Sequence, residues 1–286
     1  MDIAGSRTAL RLLQFFFALL VVFLYAPIAV LALFSMNNGD VSFPLQGFTL
    51  KWFHRAFSNQ LLLDSLRRSF VVAAVSSVIA VALGILAAFA LLRRRFFGKP
   101  AVSALVFSPL VIPYLVFGVS LLILFTALDK FLGATTGREI GLGLHAVVIG
   151  HVVVSLPFTI LTIMPLLERL NVSIEEAARD LGANAWQTFV RVTFPLLLPA
   201  IFSAFLIAFT LSFDEYAIAS FLVDTDPTWP VFLFAQLRVA RQLPAMVAVS
   251  SLILVASLGL VLIAEVGRRV AERRYAGDGE LGIALR

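Results

Sequence analysis

The sequence predicts an all-α integral membrane protein with six spanning helices and both termini on the cytoplasmic side. Three observations predict it. The 286 residues are 60% hydrophobic and only 14% charged, with mean hydropathy +0.99, where soluble domains are about 25% charged. Apolar runs recur that are long enough to cross about 30 Å of hydrocarbon as helix. Basic residues gather beside those runs, as they do in cytoplasmic loops. The net charge of +5 is therefore read as membrane flanks, and no nucleic-acid partner is expected.

The spans are placed near residues 12–34, 68–92, 101–128, 143–166, 196–222 and 244–266, within one domain over 1–286 whose core is 68–266. The run at 12–34 is too long for a cleaved signal peptide, and no small-x-small site follows it. Residues 35–67 make the longest outer segment, with turn formers Asn37-Asn38-Gly39-Asp40. There Phe48-Thr49-Leu50-Lys51-Trp52-Phe53 is expected as a short interfacial helix with its aromatics at headgroup depth. Residues 93–100 form a basic inner turn, 129–142 and 223–243 are outer loops, and 267–286 is a basic tail. On this assignment the inner segments hold fourteen Lys and Arg and the outer ones eight. Arg67 and Arg68 run against the trend and are expected to snorkel outward. Pro27, Pro109, Pro113, Pro157, Pro165 and Pro199 fall inside spans, where each removes a backbone bond and kinks a helix. Together they point to a moving pathway.

The inner loop 167–195 is the most informative segment. Ser173-Ile174-Glu175-Glu176 reads as a capping box, with the Ser173 hydroxyl accepting from the Glu176 amide and the Glu176 carboxylate returning to Ser173. Gly182 stands where a helix should end in the left-handed region. Asn184 can cap a second short helix through Arg191, and Pro195 marks the start of the next span. Ala178, Leu181, Ala185, Trp186 and Phe189 recur at helical spacing, so Trp186 and Phe189 are candidate anchors for a partner's pocket. A helix lying on the lipid surface would share that periodicity. The bend at Gly182 and the mixed acidic and basic polar face argue for a protein partner instead.

Glu176-Ala177-Ala178, three residues, Gly182, nine residues, then Val192-Thr193-Phe194-Pro195 resembles the signature of permease subunits of bacterial ABC importers, with Val and Phe where the pattern has Ile and Leu. The resemblance implies a type I importer permease fold. It also implies that Glu176, Ala177, Ala178, Arg179, Gly182, Trp186, Phe189 and Pro195 couple the chain to a cytoplasmic ATPase. Tyr25-Ala26-Pro27, Gln46-Gly47-Phe48-Thr49-Leu50-Lys51-Trp52-Phe53, Arg95-Phe96-Phe97-Gly98-Lys99-Pro100 and Phe209-Thr210-Leu211-Ser212-Phe213-Asp214-Glu215 look most like permeases of spermidine/putrescine importers. Permeases for iron, anions or amino-acid-like solutes share parts of these. The resemblance implies a second, homologous permease, two ATP-binding subunits, a periplasmic solute-binding protein, and a place in the bacterial inner membrane. ATP and magnesium would sit on the partner, and this chain would carry no cofactor and no catalytic role.

Asp214 and Glu215 lie inside the fifth predicted span, roughly 12 Å from its outer end at the helix rise. Ionisable groups at such depth mark function or a structural pair. Ala200, Ala204, Ala208, Ser212, Glu215 and Ala219 make a small-residue stripe suited to close helix contact, so the acids are expected to face protein or a cavity. Two readings stand. Ser212, Asp214, Glu215 and Tyr216 line a cation path, or the acids pair with Arg238, Arg241 or a helix end. His145 and His151 read as ordinary polar residues. Tyr114, Tyr216, Trp229 and Phe232 could wall a cation site or belong to the outer interface.

The sequence has no cysteine and three histidines, so no metal site is expected. It contains no Gly-x4-Gly-Lys-[Ser/Thr] loop, His-Glu-x-x-His or Gly-x-Ser-x-Gly, which leaves nucleotide chemistry to another chain. A self-sufficient secondary transporter would need its own coupling-ion site on broken helices and would leave the loop 167–195 unexplained.

Overall fold

The computed structural model describes residues 7–40, 44–137, 139–239, 242–259 and 262. The expected basic tail at 267–286, and Arg138 and Arg241, lie outside the described residues. In chain order the helices are α1 (Arg7–Phe34), α2 (Lys51–Phe57), α3 (Gln60–Arg93), α4 (Lys99–Phe107), α5 (Tyr114–Thr136), α6 (Leu144–Arg169), α7 (Val172–Asp180), α8 (Ala185–Thr188), α9 (Phe194–Phe213), α10 (Ala219–Leu222) and α11 (Trp229–Gln236), followed by α12 (Leu243–Gly259). No strand occurs among the described residues; one isolated bridge joins Asn37 to Phe48. Among the described residues five helical stretches are long and apolar enough to cross a membrane, ending with Ala185–Phe213; α12 is apolar over Leu243–Gly259, and most of the remainder of the expected span 244–266 lies outside the described residues.

The chain divides into two compact units. The first holds residues 1–62 and 233–256. Its α1 is apolar all round, with none of its most hydropathic window buried, as a helix solvated by lipid would be. After α1, Asn37 organises the turn that leads into α2. Its side-chain oxygen accepts from the Gln46 amide at 2.8 Å and its nitrogen donates to the Pro44 carbonyl at 2.9 Å. The Trp52 indole donates to the Asn37 carbonyl at 2.7 Å. Trp52 is therefore buried, 3% exposed, and not an interfacial aromatic as expected. Once a carbonyl satisfies its N–H, the ring gains by packing inward.

The second unit, which holds the described residues of 63–232 with 257–259 and 262, is built around α6. Of the spanning helices α6 is the most enclosed, with 56% of its most apolar window buried. It packs most extensively along α9. Small residues set the approach: a Cβ on Gly84 of α3 would lie 2.3 Å from Thr159 Oγ1 of α6. Thr159 in turn donates to the Ala80 carbonyl at 3.1 Å. Glycine here permits the interhelical hydrogen bond as well as the close contact. Two apolar clusters fill the unit. One gathers Val81, Ile85, Ala88, Ile163, Leu167, Leu197 and Ala204 near the 170–184 loop. The other gathers Val72, Leu121, Phe125, Val147, Val154, Ile218 and Leu222 at the opposite end.

Two expected spans are broken. The run at 101–128 is α4, a 3₁₀ turn at Ser108–Leu110 and then α5, separated at Pro113. Pro109 and Pro113 lack the amide donors that would continue the helix, and Pro113 disfavours helical backbone in the residue before it. The run at 196–222 stops at Phe213 and resumes only as α10. Asp214 and Glu215 thus lie at a helix break, not within a helix.

Candidate functional site

The loop between α6 and α9 forms two short helices set at an angle. Asn171, not Ser173, caps α7: its side chain accepts from the Ser173 amide at 3.1 Å. Asn is at least as good a cap as Ser, and the helix starts two residues earlier than expected, directly after Leu170 closes α6 through its amide to Leu166. The capping box falls one helix later, where Asn184 and Gln187 bond reciprocally at 2.9 and 3.0 Å. Gly182 ends α7 with φ +90°. Its amide donates to Arg179 and that of Ala183 to Ala178, the paired closure of a Schellman end.

The helix beginning at α8 does not stop at Arg191. A wide turn at Phe189–Thr193, closed by the Phe194 amide on Phe189, carries it without interruption into α9. Pro195 cannot donate to Arg191, and its ring crowds that carbonyl; a π turn just upstream accommodates the missing bond. Pro195 itself sits in the first turn of α9, where proline is tolerated.

Around this frame Glu176, Ala177, Arg179, Gly182 and Trp186 are exposed and Ala178 half-buried. Leu181 is 90% and Trp186 71% exposed. Phe189 differs from expectation. It packs inward among Phe89, Phe194 and Trp186, with ring centroids 5.8–5.9 Å apart, and so anchors α8 to its own bundle. Glu175, not singled out from the sequence, bridges the hook to the spans. It accepts from Thr193 Oγ1 at 3.0 Å and lies 4.0 Å from Arg93, whose guanidinium also reaches the Leu167 and Leu170 carbonyls at the end of α6. A guanidinium suits such carbonyl-rich helix ends.

The second cluster lies at the far end of α9. The predicted stripe is buried along its length: Ala200, Ala204, Ala208, Ser212, Glu215 and Ala219 are all at most 8% exposed. Glu215 accepts from the Ile218 amide at 2.9 Å and the Ala219 amide at 3.0 Å. His151 Nε2 approaches its carboxylate at 3.2 Å. His151 Nδ1 meets Ser212 Oγ at 2.7 Å, and Ser212 Oγ meets Ser76 Oγ at 2.9 Å. Asp214 and Tyr216, on either side of Glu215, are exposed. Among the described residues Glu215 thus meets a helix end and a histidine, while Arg241 lies outside them. His151 is not an ordinary polar residue: it is 1% exposed and sits in a polar chain. Nothing local signals this, because its partners lie 61 and 64 residues downstream. Arg68 pairs with Asp226, an exposed residue of the expected outer loop 223–243. No group of three metal-ligating side chains occurs among the described residues.

A family model described as binding-protein-dependent transport system inner membrane component matches residues 80–277, which include the hook and the helix break. The spermidine/putrescine transport system permease protein PotC of Escherichia coli (strain K12) is 32% identical over 92% of this chain and 96% of that protein. The putrescine transport system permease protein PotI of the same strain is 34% identical over 84% of each. Among solved structures, a bacterial ABC transporter involved in the import of the acidic polysaccharide alginate matches with TM-score 0.72 at 15% identity, covering 95% of this chain and 97% of that one. An amino acid ABC transporter matches with TM-score 0.55 at 19% identity, over 78% and 99%. At those identities the structures speak to fold alone, which is that of ABC importer permeases. On the match over 80–277 and the relatives spanning nearly the whole chain, this protein belongs to the family of binding-protein-dependent transport system inner membrane components.

Proposed function

We propose that this chain forms half of the membrane passage of an ATP-driven importer of polyamines, in the bacterial inner membrane with both termini cytoplasmic. The single observation that carries the coupling role is the exposed, Schellman-terminated hook with Leu181 and Trp186 standing out of it. Large apolar side chains exposed on a rigid double helix suit a partner's pocket better than water. The partner is a cytoplasmic ATPase, present twice, which binds ATP and magnesium; this chain contributes no nucleotide chemistry. A second, homologous permease completes the passage, and a periplasmic solute-binding protein delivers the solute. Movement of the ATPases displaces the hooks, and the kinked spans open the passage alternately to either side.

The names of the relatives PotC and PotI, and a carboxylate exposed at the break, support a polyamine as solute. Asp214 and Tyr216 are the two path residues that are exposed, and they would meet it one by charge and one by its ring face. The test is uptake of labelled spermidine into vesicles holding the full assembly. Asp214→Asn should reduce uptake at least tenfold through a raised KM, a loss of about 1.4 kcal/mol or more, while ATPase association is unchanged. Unaltered uptake kinetics would remove Asp214 from the path.

A further inference from the structure

We propose that His151 is a positioning residue for transport, whose imidazole clamps the break after α9 to α6 and so sets where Asp214 and Tyr216 stand. The proposal rests on the reading of those two residues as part of the solute path. Its ground is the geometry of the break. The apolar run continues to residue 222, yet the helix ends at Phe213. Glu215 turns its carboxylate back onto the amides of Ile218 and Ala219, doing for α10 what a capping side chain does. That carboxylate is buried, with 3% of its side chain exposed. A buried carboxylate persists only when paired and hydrogen-bonded. His151 Nε2 stands 3.2 Å from the Glu215 carboxylate, close enough to pair by charge although not aligned as a hydrogen bond.

The other ring nitrogen is not idle. Ser212 holds it at 2.7 Å, and Ser76 holds Ser212 at 2.9 Å. One polar chain therefore runs from α3 through α9 to α6 and on to the break and α10. Each member fixes the next, as a second tier of contacts orients a site. Glu215 has its oxygens committed and is enclosed, so it acts through placement and not by touching solute. Asp214, its neighbour, is exposed. Two adjacent acids thus divide the work, one bracing and one facing outward.

The experiment uses the whole assembly in vesicles, with spermidine as probe. His151→Leu fills the volume but strands Glu215, and should lower the maximal uptake rate about tenfold or more with little change in KM. His151→Gln can accept from Ser212 and donate to Glu215 through one amide, and should stay within about threefold of the unaltered chain. The double variant His151→Leu with Glu215→Met strands no charge, and should transport faster than His151→Leu alone. Wild-type rates in His151→Leu would overturn the proposal. So would equal loss of assembly in the Leu and Gln variants. A Glu215→Gln variant that raised KM at unchanged maximal rate would make Glu215 a solute contact and also overturn it. If the unaltered assembly takes up no spermidine, the polyamine reading falls instead. The Leu and Gln variants are then compared by ATP hydrolysis stimulated by the binding protein, where a selective loss in Leu sustains the clamp and equal rates refute it.

Discussion

Gly182 shows how far one residue constrains this protein. With φ at +90° and no atom within 4 Å of a built Cβ, its requirement is conformational and not steric. A Cβ there costs roughly 1 kcal/mol, enough to redirect α8 without unfolding the bundle. Gly182→Ala should weaken co-purification of the ATPase, and Gly182→Asn should weaken it less, because Asn tolerates the left-handed region. Equal retention by both variants and the unaltered chain would show that the bend is not what the partner reads. This residue was legible in the sequence because its constraint is local. His151 was not, because a histidine in an apolar run looks alike whether its partner is backbone, water or a carboxylate two helices away. Trp52 misled for a related reason: its carbonyl partner, Asn37, is fifteen residues upstream.

Among the elements, those that follow from periodicity and local capping were readable, and those decided by competition were not. The hook's two helices and its glycine bend follow from side chains within a turn or two of one another, whereas the π turn that runs α8 straight into α9 was not readable. The split of 101–128 was foreshadowed by Pro109 and Pro113, but prolines elsewhere in the chain do not interrupt: Pro157 and Pro165 lie within α6. Only neighbouring helices decide which outcome holds, since they satisfy or orphan the freed carbonyls. The link from Arg93 to Glu175 and Thr193 is likewise tertiary. It ties the first turn of α7 to α3, which has no covalent neighbour in the hook. At 24% and 15% side-chain exposure the pair is partly shielded from water, so it should matter more than a surface pair. Glu175→Gln should preserve assembly and ATP hydrolysis but lower solute moved per ATP hydrolysed, by about twofold or more, on the scale of a partly buried charged hydrogen bond. A constant ratio of uptake to hydrolysis would show that the link carries no load.

For the whole molecule, composition alone indicated the solvent, and the positive flanks gave an orientation still to be measured. The fold class followed directly, as helices are the one spanning form that these apolar runs permit. The lack of cysteine makes the orientation directly measurable. A single cysteine at Asp40, which is exposed, should react with impermeant maleimide in intact cells. One at Asp180, also exposed, should react only after permeabilisation. The reverse pattern would invert the protein in the membrane.

The unbroken helix from Ala185 to Phe213 carries one more consequence. Its 29 residues make a rod about 43 Å long at the helix rise, with the hook at its foot and the Ser212–Glu215 turn at its tip. Tilting such a rod by about 10° about its foot swings the tip sideways by about 7 Å, more than one strand-to-strand spacing. A crank of this length needs no relay of rearranging side chains: a small stroke at the base becomes a wide sweep at the top.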